Sequence, residues 1–361
     1  MREHLDRVRL APNALNALRL GLAASVLVAH CWPLGGFGLP PALGRQGLGE
    51  FAVCSFFAVS GYLITGSRLT LSLPRFAWHR FLRIYPAFLM ALLVVAVVLG
   101  PASALLTDAP FDTASAISYV GSNLTMRSGQ WFIAGTLPGV PFAPGGSAPW
   151  NGSLWTLIFE LQCYLAVGLW LSIPAVRRLP ACTWLALVLI TEAGIFHLGG
   201  PSNYYLFMFG TYFAAGAALR VSDHVIPVTR HLALVAIVSA VVITATTDHV
   251  LAAVPLAYTL LWCSSSAPRR LKGWRQDYSY GVYVYAFPVQ QIAALIGLHR
   301  FGLPVFLAAS AVGVAPLAFA SWWLVERPIG KLRHVPVPGL LTRRHTAPPL
   351  IPANLTSAEV S

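Results

Sequence analysis

The chain has 361 residues, of which 57% are hydrophobic and only 10% are charged, with a mean hydropathy of +0.67. A soluble globular domain carries roughly 25% charged residues, so the composition excludes that class and makes the lipid bilayer the expected solvent. The formal net charge is +12, yet no Lys/Arg tract interleaved with aromatic residues occurs, which disfavours nucleic acid as a partner.

The first apolar stretch follows a basic N-terminus and is open to two interpretations. Basic residues precede an apolar core from Leu20 to Ala29, as in a secretory signal peptide, but no small-residue cleavage site follows. A lipoprotein site at Cys31 is disfavoured because bulky His30 occupies the position that requires a small residue. We therefore expect a first transmembrane helix that is retained.

Further apolar stretches along the chain are long enough, or nearly long enough, to cross a hydrocarbon core of roughly 30 Å. With the first, they run approximately over residues 14–31, 50–66, 82–103, 153–173, 181–198, 203–221, 229–246, 249–264, 279–298 and 303–325. The first two are short, as helices that face a water-filled cavity can be. The pattern predicts an all-α fold, a polytopic bundle of about ten transmembrane helices.

The basic residues test this interpretation, because cytoplasmic loops of membrane proteins are enriched in Lys and Arg. With the N-terminus inside, only Arg45, Arg127 and Arg300 of the 24 basic residues fall on the opposite side. We therefore expect both termini in the cytoplasm. One of the predicted cytoplasmic loops carries Arg68, Arg75, Arg80 and Arg83.

The segments outside the spans differ in composition. Residues 1–13 are a predicted cytoplasmic N-terminal segment, residues 14–330 the transmembrane domain, and residues 331–361 a Pro-rich cytoplasmic tail that we expect to be disordered. The connection over residues 104–152 is rich in Gly, Pro and Ser. It is interpreted either as a lid or cavity wall or as an ordinary external loop.

The five cysteines suggest neither disulfides nor metal binding. They lie in or beside apolar runs, without CxxC spacing, at Cys31, Cys54, Cys163, Cys182 and Cys263. No disulfide framework and no metal site is therefore predicted.

Ionisable residues inside apolar spans are costly and are candidates for function. Arg19 and His30 lie eleven residues apart in the first helix, which is close to three turns and places them on one face about 16 Å apart. Each has a structural alternative, a snorkelling arginine and an interfacial histidine. Because Arg19 and His30 share one face of the helix, a functional role for both is favoured over two separate structural roles.

Two further arginines, Arg80 and Arg83, lie at the cytoplasmic start of the third predicted helix. Their planar guanidinium groups suit phosphate, although topology signalling alone also explains such arginines. Glu160 lies early in the fourth span, at a depth similar to that of His30. It fits a histidine neighbour or a general acid/base, and structural pairing with an arginine is the alternative. Glu192 and His197 are left out of the predicted site.

These residues occur in the order found in the acyltransferase-3 family of membrane acyltransferases, which the chain resembles over about residues 14 to 330. The resemblance rests on Arg19-x10-His30, on Phe56-Phe57-Ala-Val-Ser60-Gly61-Tyr62-Leu63-Ile64, on the series Phe76, Arg80, Arg83 and Pro86, on Ser153-Leu154-Trp155-Thr156-Leu157-x-x-Glu160, and on Ser279-Tyr280-x-x-Tyr283 with Glu326-Arg327-Pro328. The chain departs from the family where a histidine commonly precedes the proline of the ninth helix. Here that position is Phe287.

The resemblance implies an O-acyltransferase of the bacterial inner or plasma membrane, with an acyltransferase domain over residues 14–330. The expected donor is cytoplasmic acyl-CoA, acetyl-CoA above all, and the acceptor is a hydroxyl of a glycan, exopolysaccharide or glycosylated metabolite. Arg19, Arg80 and Arg83 are expected to bind the CoA phosphates.

The similar predicted depth of His30 and Glu160 motivates a hypothesis for the catalytic residues. His30 is expected to accept the acyl group or to deprotonate the acceptor hydroxyl, with Glu160 orienting it or balancing its charge. Ser60, Gly61, Tyr62 and Trp155 are expected near the site, where the small residues allow close helix packing; packing alone is the alternative. A transporter or flippase of a lipid-linked or polar solute is the competing function, although neither inverted repeats nor paired broken helices are visible.

Overall fold

The structure, a computed structural model, describes residues 4–6, 8, 13–143, 148–176, 179, 188, 190, 194, 201–274 and 276–335. Its helices in chain order are α1 Leu15–Gly35, α2 Leu48–Thr70, α3 Leu73–Val94, α4 Gly100–Leu106, α5 Thr113–Asn123, α6 Leu157–Trp170, α7 Pro201–Val221, α8 Arg230–Thr246, α9 Ala253–Ser266, α10 Ser279–Leu295, α11 Leu303–Ala320 and α12 Arg327–Gly330. Short 3-10 helices cover Leu154–Thr156, His249–Ala252, Leu298–Phe301 and Lys331–His334.

Two π-helical turns join helices into longer rods. Val95–Leu99 links α3 to α4, and Ser321–Glu326 links α11 to α12. Such turns are rare in proteins and occur often at functional sites. The second of them carries one of the buried carboxylates described below.

The prediction of a helical membrane bundle is confirmed for the residues that the structure describes. A helix overlaps each of the other nine predicted spans, whereas most of residues 181–198, with Glu192 and His197, lie outside the described residues. Helical stretches long and apolar enough to cross a membrane run over Leu15–Gly35, Leu48–Thr70, Leu73–Leu106 and Leu303–Arg333. Apolar side chains on their outer surface, such as Val97, Val312 and Leu324, are largely exposed, as a lipid-facing surface requires.

The prediction that the first two helices are short was wrong. Helix α1 has 21 residues and α2 has 23, so neither stops short of a normal span. Pro33 lies in the last turn of α1, where the loss of one backbone hydrogen bond is tolerated, and the helix ends at Gly36 with φ +75°.

The predicted loop between the second and third spans is also shorter than expected. Only Leu71 and Ser72 separate α2 from α3, so Arg80 and Arg83 lie inside a helix instead of in a loop. Arg68 is buried in the last turn of α2, where its guanidinium donates to the Gly168 carbonyl at 3.0 Å and to Ser172 Oγ at 2.8 Å. These hydrogen bonds satisfy the charged group inside the bundle.

The segment just before α2 and the external connection contain secondary structure that the sequence analysis did not predict. A two-residue hairpin pairs Ala42–Leu43 with Gln46–Gly47, a small departure from an all-α fold. Helix α5 lies within the connection that was left open as lid, wall or loop, and it packs beside α3 and the following π-helical turn. The predicted tail lies outside the described residues from residue 336 onward.

Helices α2 and α7 make the most extensive contact in the described part of the bundle. Glycines allow the two backbones to approach: a Cβ on Gly61 would lie 2.0 Å from the Phe213 carbonyl oxygen, and one on Gly216 would lie 1.9 Å from that of Ala58. Close backbone approach through small residues is the usual mode of helix packing in membranes. This pair supports the interior face of α2, against which α1, α6 and α10 enclose two cavities.

Candidate active site

Two cavities lie in series inside the bundle. The arginine cavity, of about 60 Å³, is lined by Arg19, Arg83, Ser60, Glu160, Tyr164 and Ser279 among others. The histidine cavity, of about 310 Å³, is lined by His30, Glu50, Gly152, Ser153, Trp155 and Tyr205 among others. Val53, Thr156 and Tyr283 line both cavities and form the waist between them.

The arrangement along α1 follows from helix geometry. Arg19, Val26 and His30 are spaced by seven and four residues, which keeps them on one face, and each lines one of the cavities. Arg19 and His30 therefore face the interior from opposite ends of one helical stripe. The waist carries a hydrogen bond between the hydroxyls of Tyr283 and Thr156, and Tyr283 also lies 3.0 Å from the Ser153 carbonyl oxygen.

The arginines of the arginine cavity are held by carboxylates from distant parts of the chain. Asp277, just before α10, accepts hydrogen bonds from both Arg19 and Arg83. Arg83 also donates to Glu326 at 3.0 Å, and Ser321 donates to the other oxygen of Glu326 at 3.1 Å. This group of two arginines and two carboxylates, the Asp277 cluster, ties together α1, α3, the start of α10 and the second π-helical turn.

The charge state of Asp277 follows from its neighbours. Burial raises the pKa of the Asp277 carboxyl, but Arg19, Arg83 and two hydrogen bonds from Ser279 outweigh it and lower the pKa from 3.8 to about 2. The carboxyl is therefore ionised throughout the physiological range. The Asp277 cluster thus matches two arginines with two carboxyl groups.

Arg80 is placed differently from the other two arginines. It lines an apolar groove of about 440 Å³ between α3 and α6, on the other side of Tyr164 from the arginine cavity. Its guanidinium carbon lies 5.9 Å from the ring centres of Phe76 and Tyr164, and its buried Nε atom has no hydrogen-bond partner within the described residues. A buried donor without a partner is available to an incoming acceptor.

His30 has an unused hydrogen-bonding atom. Its Nδ1 is buried and has no partner within the part of the chain that the structure describes. The imidazole packs edge-on against Phe287, with ring centres 5.3 Å apart. Phe287 directly precedes Pro288, so the neighbour of His30 on this side is an apolar ring.

Glu160 is not brought to His30. Its carboxylate accepts hydrogen bonds from Tyr164 and, at 3.5 Å, from Ser60, and it lines the arginine cavity, whereas His30 lines the histidine cavity. Counting residues from the predicted start of the span placed Glu160 at the depth of His30. The count did not take into account the hydroxyls of Ser60 and Tyr164, which hold the Glu160 carboxylate on the other side of the waist.

Comparison with known proteins identifies the chain. The family profile described as an acyltransferase domain, that of the acyltransferase-3 family, matches residues 13–323. The chain belongs to this family. The family expected from the sequence motifs is thereby confirmed, and the protein is an acyltransferase.

Two curated proteins resemble this acyltransferase over nearly their whole length. An O-acetyl transferase of Shigella phage Sf6 is 30% identical, across 87% of this chain and 95% of its own. Nodulation protein 10 of Rhizobium leguminosarum bv. viciae is 28% identical, across 89% of this chain and 94% of its own. No solved structure matches the chain.

The remaining predicted site residues of this acyltransferase fall into two groups. Ser60 lines the arginine cavity, and Trp155 lines the histidine cavity, where its ring packs against Tyr205 with centres 4.7 Å apart. Gly61 and Tyr62 line neither cavity. Gly61 faces α7, and the Tyr62 hydroxyl donates to Asp223 at 3.1 Å at the far end of α2.

Sequence analysis missed the carboxylates that complete this acyltransferase site. Asp277 and Glu326 hold the arginines, and Glu50 lines the histidine cavity. A signal was present, because buried arginines require compensating charge and the chain has only 12 acidic residues from which to supply it. Within the described residues, no group of three His, Cys, Asp or Glu lies close enough to hold a metal ion.

Proposed function

We propose that this acyltransferase takes an acyl group, most of all acetyl, from cytoplasmic acyl-CoA and transfers it across the bacterial inner membrane to a hydroxyl of a glycan, exopolysaccharide or glycosylated metabolite. The observation that carries the proposal is the pair of cavities in series, with arginines at one end and a histidine with a free ring nitrogen at the other. The relative described as an O-acetyl transferase supports acetyl as the group.

The arginine cavity would admit the donor. Its waist is lined by uncharged residues, Val53, Thr156 and Tyr283, which suit a thin neutral pantetheine arm that carries the thioester toward His30. Arg19 and Arg83 are already paired, so CoA phosphates would compete with Asp277 for them. Arg80 has an unsatisfied donor and is the arginine best suited to take a phosphate outright.

His30 would serve the chemical step in one of two ways. As a general base, Nδ1 takes the proton of the acceptor hydroxyl while that oxygen attacks the thioester carbonyl carbon; the carbon–sulfur bond breaks, and the proton passes to the departing CoA thiolate. As a nucleophile, the imidazole takes the acyl group first and then yields it to the hydroxyl. Both routes release one ester and one free thiol.

Glu160 is proposed as a supporting group on the donor side of the waist. Its hydrogen bonds to Ser60 and Tyr164 fix two hydroxyls of the arginine cavity, and its negative charge balances the cationic surroundings through which the donor passes. This role replaces the direct contact with His30 that the sequence analysis expected.

The proposed function is tested by acyl-CoA turnover. We expect membranes that contain the wild-type chain to release free thiol from acetyl-CoA when a crude envelope glycan extract is supplied, and the His30→Ala variant to lose this activity by at least about a hundredfold. His224→Ala is the matched control, because His224 is an exposed histidine that lines neither cavity. We expect the control to retain wild-type turnover.

The same assay separates the two roles of His30. Protein is incubated with radiolabelled acetyl-CoA and no acceptor, and is then separated rapidly from the free nucleotide at neutral pH, because an acyl-imidazole hydrolyses quickly in acid. It retains the label if the imidazole is acylated and carries no label if His30 acts as a base. Equal thiol release from the wild-type and His30→Ala chains, both folded and inserted, would overturn the assignment of His30. If the wild-type chain released no thiol from any acyl-CoA, the assignment of acyl-CoA as the donor would be overturned.

A further inference from the structure

Glu50 shares the histidine cavity with His30. It lies in the first turn of α2, and its side chain is 28% exposed. A Cβ added to the neighbouring Gly49 would lie 3.3 Å from Ala29 Cβ, so this turn packs directly against the part of α1 that carries His30. The carboxylate therefore faces the space in which the acyl acceptor meets His30.

The charged side chains that line this cavity or lie beside it are mainly acidic. Glu50 is the one carboxylate among the described residues that line this cavity, and neither a lysine nor an arginine is among them. The nearest basic group to the carboxylate is His249, whose Nε2 lies 3.7 Å from Glu50 Oε1, beyond hydrogen-bond distance. Asp248 lies equally far from the other ring nitrogen, which adds further negative charge nearby.

The remaining lining is aromatic. Trp155, Tyr205, Phe209 and Tyr283 contribute ring surfaces, and the cluster of Trp155, Tyr205 and Phe209 is tightly packed, with ring centres 4.7 to 6.1 Å apart. Cavities built of apolar and aromatic walls with a few polar groups are typical ligand sites. Sugar rings combine apolar C–H faces with hydroxyl edges, so aromatic walls and one carboxylate match both surfaces.

We propose that Glu50 positions the acceptor by accepting hydrogen bonds from its hydroxyls, and that it restricts the acceptor to sugar units without a negative charge. An ionised carboxylate only accepts hydrogen bonds, so hydroxyl or amino groups satisfy it. A uronic acid or a phosphorylated sugar would place a second anion beside the Glu50 carboxylate, with no cation to compensate it. The repulsion between the two anions would exclude such acceptors. This inference rests on the proposed acyl transfer to a sugar hydroxyl.

A purely structural role for Glu50 makes different predictions. At the third position of α2 its side chain can serve the backbone N–H groups at the helix N-terminus, and glutamine does this equally well. Glu50→Gln therefore keeps the shape and the cap and removes only the charge. Asp248→Asn is the matched control, because Asp248 also lies 3.7 Å from His249 but does not line the cavity.

The experiment uses the full-length chain in membranes, with acetyl-CoA and an envelope glycan extract separated by anion exchange into neutral and anionic pools. We expect the wild-type chain to acetylate the neutral pool at least about tenfold better than the anionic pool. Glu50→Gln is expected to reduce this ratio about tenfold and to raise KM for the neutral pool, with KM for acetyl-CoA unchanged. Asp248→Asn should keep the wild-type ratio.

The possible outcomes separate this inference from the function on which it rests. Thiol release by the wild-type chain with an unchanged pool ratio in Glu50→Gln would overturn the role of Glu50 and leave acyl transfer standing. A wild-type preference for the anionic pool would overturn it as well. No thiol release with either pool would remove the proposed function, and the acceptor inference with it.

Discussion

At the residue scale, the site depends on how each buried charge finds a partner. Arg19 and Arg83 are neutralised by Asp277 and Glu326, whereas Arg80 keeps a buried Nε without a partner in the described residues. Burying an ion costs several kcal/mol, and loss of one partner leaves that cost uncompensated. Two of these arginines are thus paired with carboxylates, and the third has an unpartnered donor atom.

This difference predicts the effect of removing Asp277. Asp277→Asn leaves Arg19 without its carboxylate and Arg83 with only Glu326, so we expect a loss of about 3 kcal/mol in the free energy of unfolding. The measurement is the thermal midpoint of detergent-solubilised protein. Asp112→Asn is the control, because Asp112 caps α5 and asparagine caps as well; its midpoint should stay at the wild-type value.

The stabilisation by Asp277 also has a defined pH dependence. Because the pKa of Asp277 is lowered from 3.8 to about 2 on folding, its contribution is complete above about pH 4 and declines as pH falls toward 2. We expect the gap between the midpoints of wild-type and Asp277→Asn protein to be constant from about pH 5 to 8 and to shrink below about pH 4. A gap that widened with acid would contradict the assignment.

At the element scale, the contact between α2 and α7 holds the wall of both cavities. Gly61→Ala and Gly216→Ala each drive a methyl group into a backbone carbonyl of the facing helix, at 2.0 and 1.9 Å. Overpacking of this kind costs about 1 to 3 kcal/mol, so we expect lower thermal midpoints and less activity. Backbone atoms cannot rotate away as a side chain can, which makes relief by local repacking difficult.

Gly210→Ala provides the control within α7. A Cβ at Gly210 meets nothing within 4 Å in the described structure, and alanine favours a helix over glycine by about 1 kcal/mol. We therefore expect the Gly210→Ala midpoint to equal or exceed that of the wild type. A loss in Gly210→Ala equal to that in Gly61→Ala would contradict the role of the α2–α7 contact, because helix propensity predicts a gain at both positions.

At the scale of the whole molecule, the direction of acyl transfer depends on which way the bundle crosses the membrane. The distribution of basic residues predicts cytoplasmic termini, with Arg127 on the outer side and Arg270 on the inner side, and both residues are exposed. We expect a membrane-impermeant maleimide to label Arg127→Cys in intact cells. Arg270→Cys should be labelled only after permeabilisation, each variant being compared with the parent chain. The reverse pattern would invert the proposed direction.

Much of this architecture follows from the sequence alone. Long apolar runs have no stable alternative to helices in a bilayer, because every backbone hydrogen bond must be made within the segment; this is why the spans of α1 to α3 and α11 could be predicted. Arg19 and His30 could be placed on one face because helix geometry is local. The family motifs are likewise read from the order of residues, and the profile match bears them out.

Only the tertiary structure decided which groups meet. Asp277 is 258 residues from Arg19, and Glu326 is 243 residues from Arg83, so no local period relates them. Likewise, Glu50 lines the cavity of His30 from a different helix, and Glu160 accepts a hydrogen bond from Ser60, which lies 100 residues away. Side-chain partners across helices depend on helix rotation and crossing, which packing of the whole bundle determines, whereas the helices themselves are determined by their own residues.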